Sequence, residues 1–529
     1  MSERRVVIIG AGHNGLVTAC LLARAGLKPL VLERREIVGG AAVTSEIHPG
    51  FRCPALFHSA GAPILEVVRE LDLGRHGLQV IQPAVRLFAA SRSASGIALY
   101  EDADRTARDL ARVSPKDGAA YAEFVKTFGR IGRFLRPLLS MTPPSIDSPR
   151  PAEVLRMLGV GARFRGLGRK DGYRLLRWGP MAVADLVAEW FDTELLRAAV
   201  AARGIFGSFA GPWSAGTSLG LLQQAAQDGH AVAPSFTFRG GIGALGVALA
   251  SAARAAGAEI RTSAPVARVT SRDGSVVAAV LESGEEIPAR AVISSADPRT
   301  TFLRLLDTLD LEPDFVHKIR NYRCKGATAK INYALSATPA FTSAAGPGGG
   351  IEWMQGRIHI GPEIDDLERA FDAAKYGDDS PHPVLDITLP SLTDASLAPA
   401  GAQVMSVHVQ YAPYREKEGD SAARREALAE TVERTISEYA PHFRALIVKR
   451  QVLTPADIEE TFGLSGGHLF HGEQALDQLF TMRPILGWAR YRTPLDGLYL
   501  CGAGTHPGGG ITGGPGANAA REILKDLRR

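Results

Sequence analysis

The chain has 529 residues, 45% hydrophobic and 22% charged, enough for several ordinary domains or fewer large ones around a substantial core. Sixty basic residues against 56 acidic leave a net charge of +4 without any Lys/Arg block or basic stripe interleaved with aromatics, which argues against a nucleic-acid partner. Four widely spaced cysteines, Cys20, Cys53, Cys324 and Cys501, with no C-x-x-C, argue against a redox disulfide, a zinc knuckle and a secreted disulfide framework; a reducing compartment fits.

The opening "MSERRVVIIG" runs directly into a strand pattern with no apolar core of a signal peptide, and no segment reaches the ~18 apolar residues of a membrane span. The expectation is a cytoplasmic chain, soluble or lying peripherally on a membrane. Val6 to Ile9 reads as a strand, followed by Gly10-Ala11-Gly12-His13-Asn14-Gly15, a helix "LVTACLLARAG" and a second strand "PLVLE" that ends at Glu33. This is a βαβ unit whose glycines permit a tight turn, close approach to a pyrophosphate and close helix packing. The helix N-terminus attracts the phosphates, and Glu33, followed by Arg34, stands where a carboxylate bonds ribose hydroxyls. Gly39-Gly40-Ala41-Ala42 then place a backbone of small residues against a bulky ligand.

Helical patterning with prolines runs from about 105 to 225. Within it, 120–141 is amphipathic, with Arg130, Arg133 and Arg136 beside Phe124, Phe128, Ile131, Phe134 and Leu138. Core packing is the plain reading; a helix at a membrane surface is the alternative. A second G-x-G-x-x-G follows at Gly241, Gly243 and Gly246. The preceding "HAVAPSFTFRG" has no apolar feeding strand, and Glu259 comes too early to be its ribose ligand, so a structural turn is expected rather than an NAD(P)H pocket.

Residues 258–298 alternate as strands with an Asp273-Gly274 hairpin and end in "VISSADP". "KINYAL", "VLDITLP" and "VMSVHVQYAP", between about 325 and 413, alternate as in a sheet with one covered face. "GLSGG" at 463–467 spells a nucleophile elbow but follows a polar segment, and "HLFH" at 468–471 lacks a third metal ligand; neither is read as a reactive site, and no metal is expected. The C-terminus reads as a strand from Leu498 to Cys501, a glycine-rich loop, and a closing helix from about Gly514.

"VVIIGAGHNGLVTACLLARAGLKPLVLERREIVGGAAVT" and "GLYLCGAGTHPGGGITGGPGANAA" together resemble the two ends of FAD-dependent phytoene desaturase and carotenoid isomerase-like flavoproteins. The similarity covers nearly the whole chain and, with "GGHLFHGEQALDQLF", is closest to the branch of pyridine nucleotide-disulfide oxidoreductase domain-containing protein 2 and desaturase-like carotene ketolases. It implies an α/β fold with a Rossmann-type FAD-binding domain assembled from 1–100, 226–300 and 481–529, as in glutathione reductase and amine oxidases, and an interleaved α+β substrate domain from 101–225 and 301–480. FAD would be held noncovalently by Gly10, Gly12, His13, Asn14, Gly15, Glu33, Arg34, Gly40, Ala41 and Ala42. The adenine would meet the backbone near Val266, with Ala296 on the returning strand and turn. Gly502, Ala503, Gly504, Ile511, Thr512, Gly513 and Gly514 would follow the ribityl chain and isoalloxazine. Family enzymes commonly carry arginine where this chain has Ala41.

The implied activity is oxidoreduction of a lipophilic, polyene- or isoprenoid-like substrate (desaturation, saturation, ketolation or isomerisation) by hydride chemistry at the flavin. His506 and Arg239 are the candidate catalytic residues. An amine-oxidase-like enzyme and a flavoprotein that acts mainly as a binding partner are the alternatives.

Overall fold

The computed structural model describes residues 5–527 except 94, 233–235, 346–348 and 416–420. The leading residues 1–4 of the opening segment, and 233–235 of the segment before the second glycine motif, lie outside that description.

Strand β1 (Arg5–Ile9), helix α1 (His13–Arg24) and strand β2 (Leu30–Leu32) form the expected βαβ unit. β1 lies between β2 and Glu286–Ser294, parallel to both; Leu498–Leu500 and Glu259–Arg261 extend this parallel sheet at its two sides. Val266–Arg272 and Ser275–Leu281 add an antiparallel meander, with Asp273 and Gly274 at φ 50° and 74° in the tight turn. Successive β1 side chains serve opposite cores: Val6 and Ile8 pack with α1 and the helices Gly243–Ala255 and Gly514–Leu527, while Val7 and Ile9 pack with Phe302, Phe315 and Ile319. A sheet covered on both faces needs this continuous apolar run. The fold is therefore α/β with a Rossmann-type nucleotide-binding domain.

A second seven-stranded sheet runs in the order Ile447–Leu453, Thr328–Leu335, Gln403–Gln410, Val384–Thr388, Arg357–Ile360, Val85–Ala89, Ile97–Tyr100. All neighbours are antiparallel except Arg357–Ile360 and Val85–Ala89. Residues 85–100 thus hydrogen-bond into this sheet, so the change of sheet falls before 85 rather than at 100. The covered apolar face is present: Ile331, Tyr333, Ile358, Leu385, Ile387, Met405 and Val407 pack against Leu428, Val432 and Ile436. The other face was expected to meet solvent. It is also buried, and carries Lys330, Asn332, Asp386, Ser406, His408, Gln410, Arg357 and His359.

The helical segment 105–225 packs on this second sheet. Phe124, Phe128 and Ile131 of the helix Pro115–Leu139 are buried beside Trp178 and Phe191, and Arg130 pairs with Asp171, so the core-packing reading of 120–141 holds. The exposed apolar face lies instead on the next helices, Pro151–Gly166 and Gly168–Trp178, at Leu155, Leu158 and Leu176 (69%, 66% and 63% exposed).

Candidate cofactor and substrate site

The first glycine motif builds one wall of a cavity of about 380 Å³. Gly10, Gly12, His13, Asn14, Glu33, Arg34, Gly40, Ala41, Val266 and Ala296 all line it, so residues separated by nearly 290 positions converge on one space. Gly15 lies beneath the turn: a Cβ there would stand 2.2 Å from the Gly10 carbonyl oxygen, which fixes the residue type by packing rather than by ligand contact. Ala42 is fully buried and its N–H donates to the Gly39 carbonyl.

The cavity's chemistry suits an adenosine diphosphate moiety. No side chain caps the N-terminus of α1, leaving that end to an anion. The Glu33 carboxylate accepts from the Ala11 amide at 2.7 Å and the Arg35 amide at 3.0 Å, which fixes it at the end of β2. His13 Nε2 and His471 Nδ1 are buried without hydrogen-bond partners, and both residues line the cavity. Burial, reinforced by His471, lowers His13 to about 4, so it is a neutral imidazole whose ring also bonds the Gly510 backbone. With its ring proton given to Gly510, the neutral His13 leaves Nε2 as an acceptor, which a ribose hydroxyl rather than a phosphate oxygen would satisfy.

Gly502, Ala503 and Gly504 do not line this space. They pack on Ser295, Ala296 and Pro298, and Arg483, fully buried, donates to the Ala503 carbonyl and to those of Phe470, Gly472, Glu473 and Gln478. Arg483 therefore ties the glycine loop to the 470–478 segment, a role sequence reasoning missed because its acceptors are all backbone. Thr512 and Gly514 border a cleft with Pro507 and Asn518. Gly513 packs against Ile64 and Val67, and Ile511 with Gly509 and Gly510 faces a separate cavity of about 360 Å³.

That second cavity has an aromatic wall of Phe57, Phe206 and Phe470, with ring centroids 5.9 Å apart for Phe57 and Phe470 and 6.2 Å for Phe206 and Phe470. Its other wall is polar: Gln223, Gln224 and Gln227 from the helix Ser218–Asp228, and Arg203 and Arg357. The second sheet's polar face is what makes this cavity amphipathic. Across that face Lys330, His408, Asp386 and His359 are successive neighbours on four strands. Asp386 is reached by Arg203 Nη1 at 2.5 Å and by Arg357 Nε at 3.2 Å. Burial alone would raise the Asp386 carboxyl, but Arg203, Arg357 and His58 hold it well below the ordinary carboxylate range. Burial lowers Lys330 to about 7 and His58 to about 3.

His58, Asp386 and His408 lie close enough to share a metal ion. With Arg203, Arg357 and Lys330 packed around them, a cation there would meet uncompensated positive charge. His506 is buried, its Nε2 bonds the Leu138 carbonyl at 2.8 Å, and burial lowers it to about 4; it lines neither cavity. Arg239 is exposed at the end of the short strand Thr237–Phe238 and also lies outside both cavities. Of the two literal motifs, Ser465 of "GLSGG" bonds Thr300 and Asp297 beside the first cavity, and His468 of "HLFH" is buried against Glu473 while His471 faces that cavity.

The sheet order, the glycine turn and the carboxylate ending β2 define a dinucleotide-binding domain, and the family match makes the chain an FAD-dependent oxidoreductase. The chain belongs to the flavin containing amine oxidoreductase family, whose profile matches residues 15–524. Its relatives include desaturase-like FAD proteins. It is 34% identical to pyridine nucleotide-disulfide oxidoreductase domain-containing protein 2 of Rattus norvegicus, over 99% of this chain and 94% of that one. It is 25% identical to the lycopene-forming phytoene desaturase of Pseudescherichia vulneris, over 96% of both. Cyclohexylamine oxidase from Brevibacterium oxydans shares the fold, with a TM-score of 0.56 at 15% identity over 100% of both chains.

Replacing Glu33 with alanine orphans the Ala11 amide and, if the carboxylate bonds the ribose, removes that acceptor as well. FAD affinity is expected to fall roughly ten- to a hundredfold, the worth of a hydrogen bond to a charged group. Flavin content and dissociation constant in the purified variant are the readout, and unchanged values would make Glu33 only a structural carboxylate.

Proposed function

We propose that the protein oxidises or reduces a lipophilic, polyene- or isoprenoid-like molecule at its flavin. The observation that carries this reading is the aromatic wall of Phe57, Phe206 and Phe470 standing beside Gly509 to Ile511, the segment of the glycine loop that faces the second cavity. Burial there contributes ~0.8 kcal/mol per CH₂, enough to hold a long chain. Bound FAD supplies the hydride acceptor or donor. The chain's residues bind and orient: Glu33 and the glycine turn hold the adenosine half, Arg483 and His506 brace the loop, and the aromatic wall excludes water from the reacting carbons.

His506 acts here by position, since its Nε2 is already committed to the Leu138 carbonyl, and Arg239 takes no part in the chemistry. Substrate would arrive from a membrane surface at which Leu155, Leu158 and Leu176 insert, with Arg156, Arg163 and Lys170 facing anionic headgroups. Cosedimentation with anionic but not neutral vesicles, lost on Leu155→Glu/Leu158→Glu, is the expected sign of that contact; no cosedimentation would remove it.

Anaerobic incubation of flavin-loaded protein with polyenes, fatty acyl compounds and amines tests the chemistry. Bleaching by a polyene or other lipophile alone supports the proposal. Bleaching by amines alone would make the protein an amine oxidase, and bleaching by none, in either redox direction, would leave it a binding protein.

A further inference from the structure

We propose that the second cavity holds an anionic head group, a carboxylate at the end of the lipophilic substrate, clamped between Arg203 and Arg357. The inference rests on the lipophilic reading above and adds what the polar end of that molecule is.

Both guanidiniums line the cavity, and they come from different elements: Arg203 from the last turn of the helix Glu194–Ile205, Arg357 from the first residue of the strand Arg357–Ile360. They are 9% and 5% exposed. Buried guanidiniums ordinarily have all their N–H groups engaged, because an unmade bond to a charged donor is costly. Here Arg357 Nη1 and Arg203 Nε are buried with no hydrogen-bond partner. The remaining groups show how each side chain is held: Arg357 Nη2 donates to Ser59 Oγ at 2.6 Å, and Arg203 Nη1 to Asp386 Oδ2. The Arg203 guanidinium also lies over the Phe206 ring, 4.9 Å from its centroid.

One carboxylate, Asp386, serves two arginines, and Lys330 and three imidazoles rather than further acids complete its surroundings. A site with one positive charge in excess, and planar donors free on two sides, fits a carboxylate. It repels an ammonium group. The cavity's acidic residues do not change this balance: Glu473 accepts from the Phe209 amide and faces His468, and Asp477 is taken up by Arg323.

The test titrates the flavin-loaded protein with dodecanoate, 1-dodecanol and dodecylamine by calorimetry. Dodecanoate is expected to bind roughly ten- to a hundredfold more tightly than the alcohol, the worth of a hydrogen bond to a charged group, with the amine weakest. Arg357→Met should erase the preference for the acid and leave dodecanol affinity as it was. Equal binding of acid and alcohol by the wild-type protein, or a preference for the amine, would overturn the head-group site and leave the lipophilic reading standing. Failure of all three to bind would overturn both. The wild-type comparison decides the matter even where the variant does not fold.

Discussion

Replacing Asp386 with leucine is expected to destabilise the protein by about 3–5 kcal/mol, because it strands two buried arginines without their shared counterion. Leucine fills a comparable volume, so the loss is electrostatic rather than a cavity. Arg203→Met in the same background should recover part of the stability, since one uncompensated charge is then removed. The pH dependence has a definite sign. A carboxyl whose folded pKa lies below its ordinary value of 3.8 stabilises the fold at neutral pH and loses that contribution only as pH falls below 3.8 toward the folded value. The Asp386 carboxyl itself therefore adds no pH dependence between pH 8 and pH 5, and its own share of the gap narrows only in stronger acid. Lys330, lowered to about 7 by burial and held up by Asp386, should widen the gap as pH falls through 7, because without Asp386 it resists protonation further. Denaturant midpoints across that range measure it; a variant as stable as wild type would show that the arginines are already solvated.

The parts of the site that the sequence made legible are local ones. A glycine turn, the helix it starts and a carboxylate ending the next strand occupy 24 consecutive positions from Gly10 to Glu33, and their geometry follows from backbone conformation alone. The Asp273-Gly274 hairpin is legible for the same reason. The charged cluster was not, because Arg203, Arg357 and Asp386 come from three elements and meet only when Arg357–Ile360 pairs with Val384–Thr388 and the helix Glu194–Ile205, some 180 residues earlier, packs across them. A trace was present nonetheless. "KINYAL", "RIHI", "VLDIT" and "VMSVHVQ" place lysine, arginine, histidine or aspartate at alternate positions, where a solvent-facing sheet and a buried polar one have the same pattern. Alternation marks a face; it does not say what covers it. Arg239 drew attention through its place next to a glycine motif, and Arg483, which holds the loop together, through nothing at all, since backbone acceptors leave no mark in a sequence.

That second glycine motif carries the other large expectation: Gly243→Ala should lose most of its bound flavin, while NAD(P)H should neither bind nor rapidly bleach the flavin in wild type or variant. The strand before the motif is only Thr237–Phe238, and it pairs antiparallel with Val80–Ile81 outside the parallel sheet, so it cannot feed a nucleotide turn. Glu259, the acid nearest to a ribose position, is bound by Arg5 and Arg261. The glycines serve the first site instead. Gly243 donates to Thr44 Oγ1 at 2.9 Å, and a Cβ on it would lie 2.6 Å from the Thr44 amide nitrogen; one on Gly246 would lie 2.7 Å from the Gly39 Cα. Gly39 in turn donates to the Ala11 carbonyl, so the segment 39–44 is pressed between the two motifs, and Gly40 and Ala41 within it line the cavity proposed for the cofactor. A methyl group at 243 has to move that segment, and overpacking of this kind costs about 1–3 kcal/mol, roughly ten- to a hundredfold in flavin retention if the shift is taken up at the cofactor. Stopped-flow reduction by NADH and NADPH, with flavin content measured on the same preparations, separates the two meanings of the motif: rapid bleaching in the wild type that vanishes in a variant still full of FAD would make it a nucleotide pocket after all.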